Sequence, residues 1–167
     1  MALRVETERL LIRGWTEDDI DPYANMASDP EVMRYIGNGE PRGRDYAEEF
    51  VRRMIRLHEE RGWIRFAVEH GETGRFMGFC GYEMQDEVLD FGWRYARDFW
   101  GGGYGSEASL AVLGIGRETY GLTGIESQSY PENVGSIRII EKLGMTYLRE
   151  SVSFGRRIVH YGFPEER

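Results

Sequence analysis

Two periods of apolar and polar positions alternate along this chain, and each change of period marks a boundary between strand and helix. A period of two predicts strands over residues 7–15, 63–69, 75–84 and 88–95, the last with Leu89, Phe91, Trp93 and Tyr95 alternating with Asp90, Gly92 and Arg94. Short polar turns at 71–74 and 85–87 join three of these into an antiparallel meander. Helical spacing appears where Tyr46, Phe50, Val51, Met54, Leu57 and His58 trace one face of a helix ending near Gly62. A second long helix is predicted over 106–120, with Ala108, Ala111, Val112 and Ile115 inward. Two start signals stand earlier. Thr16-Glu17-Asp18-Asp19 is a capping-box pattern opening a helix through Tyr23, Met26 and Ala27, and Ser28-Asp29-Pro30-Glu31 caps a short turn through Val32, Met33 and Tyr35. A strand over 125–129 follows the 106–120 helix, so it should run parallel to the strand over 88–95. A last helix after Asn133 stops at Gly144, and the tail offers two strand-like runs split at Gly155-Arg156-Arg157.

Composition narrows what such an α+β chain can do. At 167 residues with 41% hydrophobic content it is expected to form a single domain, 1–167, with a core of its own. No apolar run reaches the roughly 20 residues that cross a bilayer, so a cytoplasmic location and no membrane partner are expected. A formal charge of −8 argues against nucleic acid and leans toward cationic acceptors. One cysteine, Cys80, in an apolar strand reads as a buried small hydrophobe, and His58, His70 and His160 form no ligand spacing, so no metal is expected.

The candidate chemistry lies where the strand over 88–95 hands over to the helix. Trp100-Gly101-Gly102-Gly103-Tyr104-Gly105-Ser106-Glu107-Ala108 places four glycines in front of a helix start, where unpaired N–H groups and the macrodipole favour an anion. The loop is not a Walker A sequence, because no Gly-Lys-Ser or Gly-Lys-Thr occurs. Gly103-Tyr104-Gly105-Ser106-Glu107-Ala108 also fits a dinucleotide fingerprint, with Glu126 near the acidic position about 20 residues on. That loop belongs after the first strand of a repeated βαβ array, however, and this one lies past the middle of a chain that begins as a meander.

The same residues resemble the acyl-CoA pyrophosphate loop of the GNAT superfamily of N-acetyltransferases, and Trp100 with Glu107-Ala108 is similar to the variant in ribosomal-protein alanine N-acetyltransferases. Pro131-Glu132-Asn133-Val134-Gly135-Ser136 followed by Glu141-Lys142-Leu143-Gly144-Met145 matches a second family signature, with Met145 in place of Phe, and Thr7-Glu8-Arg9-Leu10 matches the family's opening. The resemblance implies a mixed, largely antiparallel twisted sheet of about seven strands with flanking helices and two central parallel strands that splay apart. It implies acetyl-CoA as co-substrate, with Gly101, Gly102, Gly103, Tyr104, Gly105 and Ser106 on the pyrophosphate, Phe91, Trp93 and Tyr95 along the pantetheine, and Asn133 and Ser136 beside it. A backbone N–H such as that of Trp93 would stabilise the oxyanion. The tyrosine that often protonates the departing thiolate falls by register at Ile140, so Ser136 is the substitute, hydrogen-bonding the sulfur rather than fully protonating it; Glu83 and Asp90 are the candidate bases, with a positioned water as the alternative.

The function these residues point to is acetyl-CoA-dependent N-acetyl transfer to a primary amine, either a protein N-terminus or a small molecule, by direct attack in a ternary complex. The alternatives are a non-catalytic acyl-CoA sensor, which the missing tyrosine allows, and a nucleotide-cofactor oxidoreductase. A monomer or homodimer is expected.

Overall fold

The computed structural model describes residues 2–166. Eight strands form one mixed sheet in the order β1-β2-β3-β4-β5-β6-β8-β7. Their ranges are β1 (Arg4–Glu6), β2 (Leu10–Arg13), β3 (Arg65–His70), β4 (Phe76–Gln85), β5 (Val88–Tyr95), β6 (Ile125–Ser129), β7 (Thr146–Ser153) and β8 (Arg156–Gly162). The helices are α1 (Ile20–Ala27), α2 (Pro30–Met33), α3 (Arg44–Arg61), α4 (Tyr104–Glu118) and α5 (Val134–Lys142).

The eighth strand corrects the expected count. Within residues 7–15 only Leu10–Arg13 is strand, and Thr7 turns the chain ahead of it: its amide donates to the Leu10 carbonyl at 2.9 Å, and the Leu10 amide donates to the Thr7 hydroxyl at 3.1 Å. This sets three-residue β1 antiparallel to β2, and a strand so short leaves no periodic signal. The capping-box segment likewise begins with a 3-10 turn, Glu17–Asp19, before α1. Asp19 is nearly buried, accepting from the Thr16 amide at 2.9 Å and from both terminal nitrogens of Arg13. The α4 helix starts two residues earlier than expected, at Tyr104.

The β3-β4-β5 meander and the parallel β5-β6 pair are as the periodicity implies. On one sheet face Phe79 of β4 meets Trp15, Tyr23 of α1 and Phe50 of α3, with ring centres 4.8–6.4 Å apart in this cluster. Rings of this size stabilise by about 1.5–3 kcal/mol each through burial, plus a smaller edge-to-face contribution. The other face packs on α4. There the Tyr82 hydroxyl donates to the Val112 carbonyl at 3.0 Å, and a Cβ at Gly116 would lie 2.2 Å from that hydroxyl, so only glycine lets helix and sheet approach this closely. Ile140 is 1% exposed within this core. Among the described residues no helix is long and apolar enough to cross a membrane.

Candidate active site

Strands β5 and β6 begin as neighbours and then part. Their ladder holds only Leu89↔Ile125 and Asp90↔Glu126, although β5 continues for five more residues. At the next rung a side chain takes the place of the backbone: the Ser127 hydroxyl donates to the Phe91 carbonyl at 2.6 Å. Beyond it the strands open into a slot.

Register decides what faces that slot. The Ala96 amide donates to the Met77 carbonyl on β4, so in an antiparallel pair the even-numbered residues of β5 turn their backbone groups to β4. The odd-numbered residues Phe91, Trp93 and Tyr95 turn theirs toward β6. The Phe91 carbonyl is taken by Ser127 and the Tyr95 carbonyl by the Trp100 indole at 2.9 Å, which leaves the Trp93 backbone facing the gap.

At the C-terminal end of β5, Gly103 adopts a left-handed conformation (φ 80°) and opens α4. No side chain caps this helix, and its first intrahelical bond runs from the Glu107 amide to the Gly103 carbonyl. The amides of Tyr104, Gly105 and Ser106 are therefore open donors at the positive end of a 15-residue helix. Arg9 braces the loop from β2's side. Its Nη1 donates to the Gly102 carbonyl at 2.9 Å, its Nε to Glu107 at 2.7 Å, and its guanidinium lies 4.2 Å from the Tyr104 ring centre. Glu107 also accepts from the Thr7 hydroxyl and the Arg9 amide. Burial pushes this carboxyl up, but those bonds outweigh it and hold it below its usual range.

Two cavities converge on the slot. One, of about 590 Å³, runs past Gly101, Gly103, Tyr104, Gly105, Ser106 and Ile139. The other, of about 380 Å³, is walled by Phe50, Arg53, Arg65, Phe79, Glu83 and Asp90. They share Tyr35, Ile36, Trp93, Arg94, Asn133 and Ser136. Each has the volume of a small-molecule site.

The structure brings together nearly every residue singled out in the sequence. Asn133 caps α5, its Oδ1 accepting from the Ser136 amide at 3.4 Å, and both residues line the shared region. The Ser136 hydroxyl makes no hydrogen bond to protein among the described residues, so it does not fold back on the helix start. Phe91 and Tyr95 pack inward on the α4 face, with the Tyr95 hydroxyl buried beside the Cys80 thiol. Gly102 is not a lining residue; it serves the loop through its carbonyl. Glu83 and Asp90 sit opposite each other on β4 and β5, both tied to arginines. Asp90 accepts from Arg65 at 2.7 Å; Glu83 accepts from Arg65 at 3.2 Å and also pairs with Arg53. Burial pushes the Asp90 carboxyl up, against the pull of Arg65.

Arg94, Tyr46, Tyr35 and Tyr130 are among the lining residues that were not singled out as site residues. Arg94 looks in sequence like the solvent face of a half-exposed strand, but its Nη1 donates to the hydroxyls of Tyr23 at 2.8 Å and Tyr46 at 3.1 Å. Tyr46 was assigned only to a helix face. Tyr35 and Tyr130 come from segments joined only by the fold, the Tyr130 hydroxyl donating to the Gly37 carbonyl. An arginine on a central strand was the one signal available for this group.

Comparisons with known proteins agree with this geometry. An uncharacterized N-acetyltransferase of Bacillus licheniformis is 31% identical over 82% of this chain and 79% of its own length. A GNAT-family acetyltransferase structure from Bacillus anthracis superposes with a TM-score of 0.83 at 25% identity, covering 99% of this chain and 100% of that one. A ribosomal-protein-S5-alanine acetyltransferase from Vibrio fischeri shares the fold, with a TM-score of 0.78 at 14% identity over 95% of this chain and 94% of that one. The family model described as acetyltransferase (GNAT) domain matches residues 9–146, and the chain belongs to that family of N-acetyltransferases.

Proposed function

We propose that this site carries acetyl-CoA with its pyrophosphate on the amides of Tyr104, Gly105 and Ser106, its pantetheine in the β5-β6 slot, and its thioester beside Trp93. The supporting observation is that the two cavities share Trp93, Asn133 and Ser136, and that the Trp93 backbone faces the open slot. A primary amine enters from the smaller cavity and its neutral nitrogen attacks the thioester carbon. The Trp93 N–H donates to the developing oxyanion. As the C–S bond breaks, the Ser136 hydroxyl donates to the thiolate, which takes its proton from solvent. The amine loses its proton to water, and Glu83, less buried than Asp90, is the carboxylate positioned to relay it.

The acceptor is a small primary amine, which a cavity of about 380 Å³ accommodates. A second reading, a protein N-terminal alanine, draws on the loop's likeness to ribosomal-protein acetyltransferases and on the shared fold. The test is free-thiol release from acetyl-CoA across a panel of small amines and alanine-led peptides. Amine-dependent release supports the proposal. Tight acetyl-CoA binding without any release would favour the sensor alternative, and NADH binding with indifference to CoA would favour an oxidoreductase.

A further inference from the structure

The charge inside the smaller cavity differs from that of the whole chain. Its lining holds three arginines, Arg53, Arg65 and Arg94, against two carboxylates, Glu83 and Asp90. Arg53 pairs with Glu83, and Arg65 with Glu83 and Asp90. Arg94 makes no ion pair among the described residues. Both hydrogens of its Nη1 go to neutral phenols, those of Tyr23 and Tyr46, while its Nε is buried without a partner and its Nη2 finds no protein acceptor. Nη2, which is not shut away as Nε is, is the nitrogen left for a ligand's anion to reach, through a charge-assisted hydrogen bond. A half-buried cation with Nη2 vacant and no counter-charge costs free energy that a ligand's negative charge offsets.

In the placement proposed above, the cofactor does not supply that charge. Its phosphates belong at the start of α4, which packs on the Phe91 and Tyr95 face of β5, whereas Arg94 projects from the opposite face among Phe79, Tyr23 and Tyr46. Only neutral pantetheine and thioester pass the shared region. The anion comes from the acceptor.

We infer that the acceptor amine is a small molecule carrying a carboxylate, held by Arg94 while its nitrogen reaches the thioester at Trp93. This rests on acetyl transfer at this site. The reacting nitrogen is neutral, so it meets no repulsion from Arg94, and the carboxylate brings the local charge into balance.

The experiment compares amino acids with the matching amino alcohols, which keep the amine and side chain and lack only the carboxylate. The best amino acid is expected to exceed its amino alcohol at least tenfold in kcat/KM, and Arg94→Gln should bring that ratio to near one, with Arg94→Lys in between. Calorimetric titration of N-acetyl amino acids and N-acetyl amino alcohols into the CoA-loaded protein gives a readout independent of turnover: the acid binds at least tenfold more tightly to wild type and equally to Arg94→Gln. Equal use of both acceptor types by wild type, with release still amine-dependent, overturns the inference and leaves acetyl transfer standing. A loss in Arg94→Gln by the same factor for both types also overturns it, assigning Arg94 to the reaction itself. Absence of amine-dependent release removes acetyl transfer, and equal binding of the two acetylated ligands to wild type then removes the carboxylate site as well.

Discussion

Replacing Ser106 by Asp sets fold stability and cofactor binding against each other. Ser106 is the third residue of α4, lines the larger cavity, and stands where a negative charge complements the macrodipole. In the free protein the carboxylate is expected to stabilise the helix by about 0.3–1 kcal/mol. With cofactor bound, the same carboxylate faces the pyrophosphate. At a separation of about 5 Å, one charge pair costs about 0.8 kcal/mol at the dielectric of water and about 3 kcal/mol at the effective value near a protein surface. Two phosphate charges at the lower figure weaken binding by about 1.7 kcal/mol, so the Kd for CoA should rise more than tenfold. The assay pairs thermal unfolding of the free protein with calorimetric CoA titration at two salt concentrations, using Ser106→Asn as the neutral control. A raised Tm with a raised Kd that shrinks as salt screens the repulsion is expected. An unchanged Kd in Ser106→Asp would refute the placement of the pyrophosphate at these amides.

Ser136→Ala should lower kcat by roughly 10- to 100-fold if its hydroxyl bonds the departing thiolate, since a hydrogen bond to a charged group contributes about 1.5–3 kcal/mol. Unchanged single-turnover rates would show that the Ser136 hydroxyl gives the departing thiolate no hydrogen bond. Glu107 lies below its usual carboxylate value in the folded state, so its contribution to stability is present above about pH 4.3 and is lost as pH falls through the folded value. Denaturant midpoints from pH 6 to pH 3 should accordingly fall less steeply in Glu107→Gln than in wild type, and parallel curves would contradict this. Burial pushes the Cys80 thiol up to about 12, so a thiol reagent at pH 8 should modify it only after unfolding; rapid labelling of the native protein would show that the strand is open there.

Local chemistry made most of the scaffold readable. Period two along β3, β4 and β5, the helical stripe of α3, and glycines at the entrance to α4 are each dictated by nearby residues, so sequence shows them. The break at Thr7 was hidden because β1 gains its partners only from register with β2. The loop's open amides were legible because they belong to a helix start, which glycine spacing reports. The smaller cavity was not, because Tyr35, Tyr46, Arg94 and Tyr130 converge from four separate segments. Whole-chain charge does not report the cavity for the same reason: −8 sums all 167 residues, while the cavity lining has three arginines against two carboxylates. Glu83 and Asp90 were picked out as carboxylates on the right strands, but only the fold reveals that arginines hold both.

A crystal structure with acetyl-CoA bound tests the central claim most directly. The account predicts the pantetheine lying between β5 and β6 beyond the Asp90↔Glu126 rung, with the thioester oxygen about 2.9 Å from the Trp93 nitrogen. A cofactor bound outside the slot, or a β5-β6 ladder that continues past that rung with the cofactor in place, would contradict it.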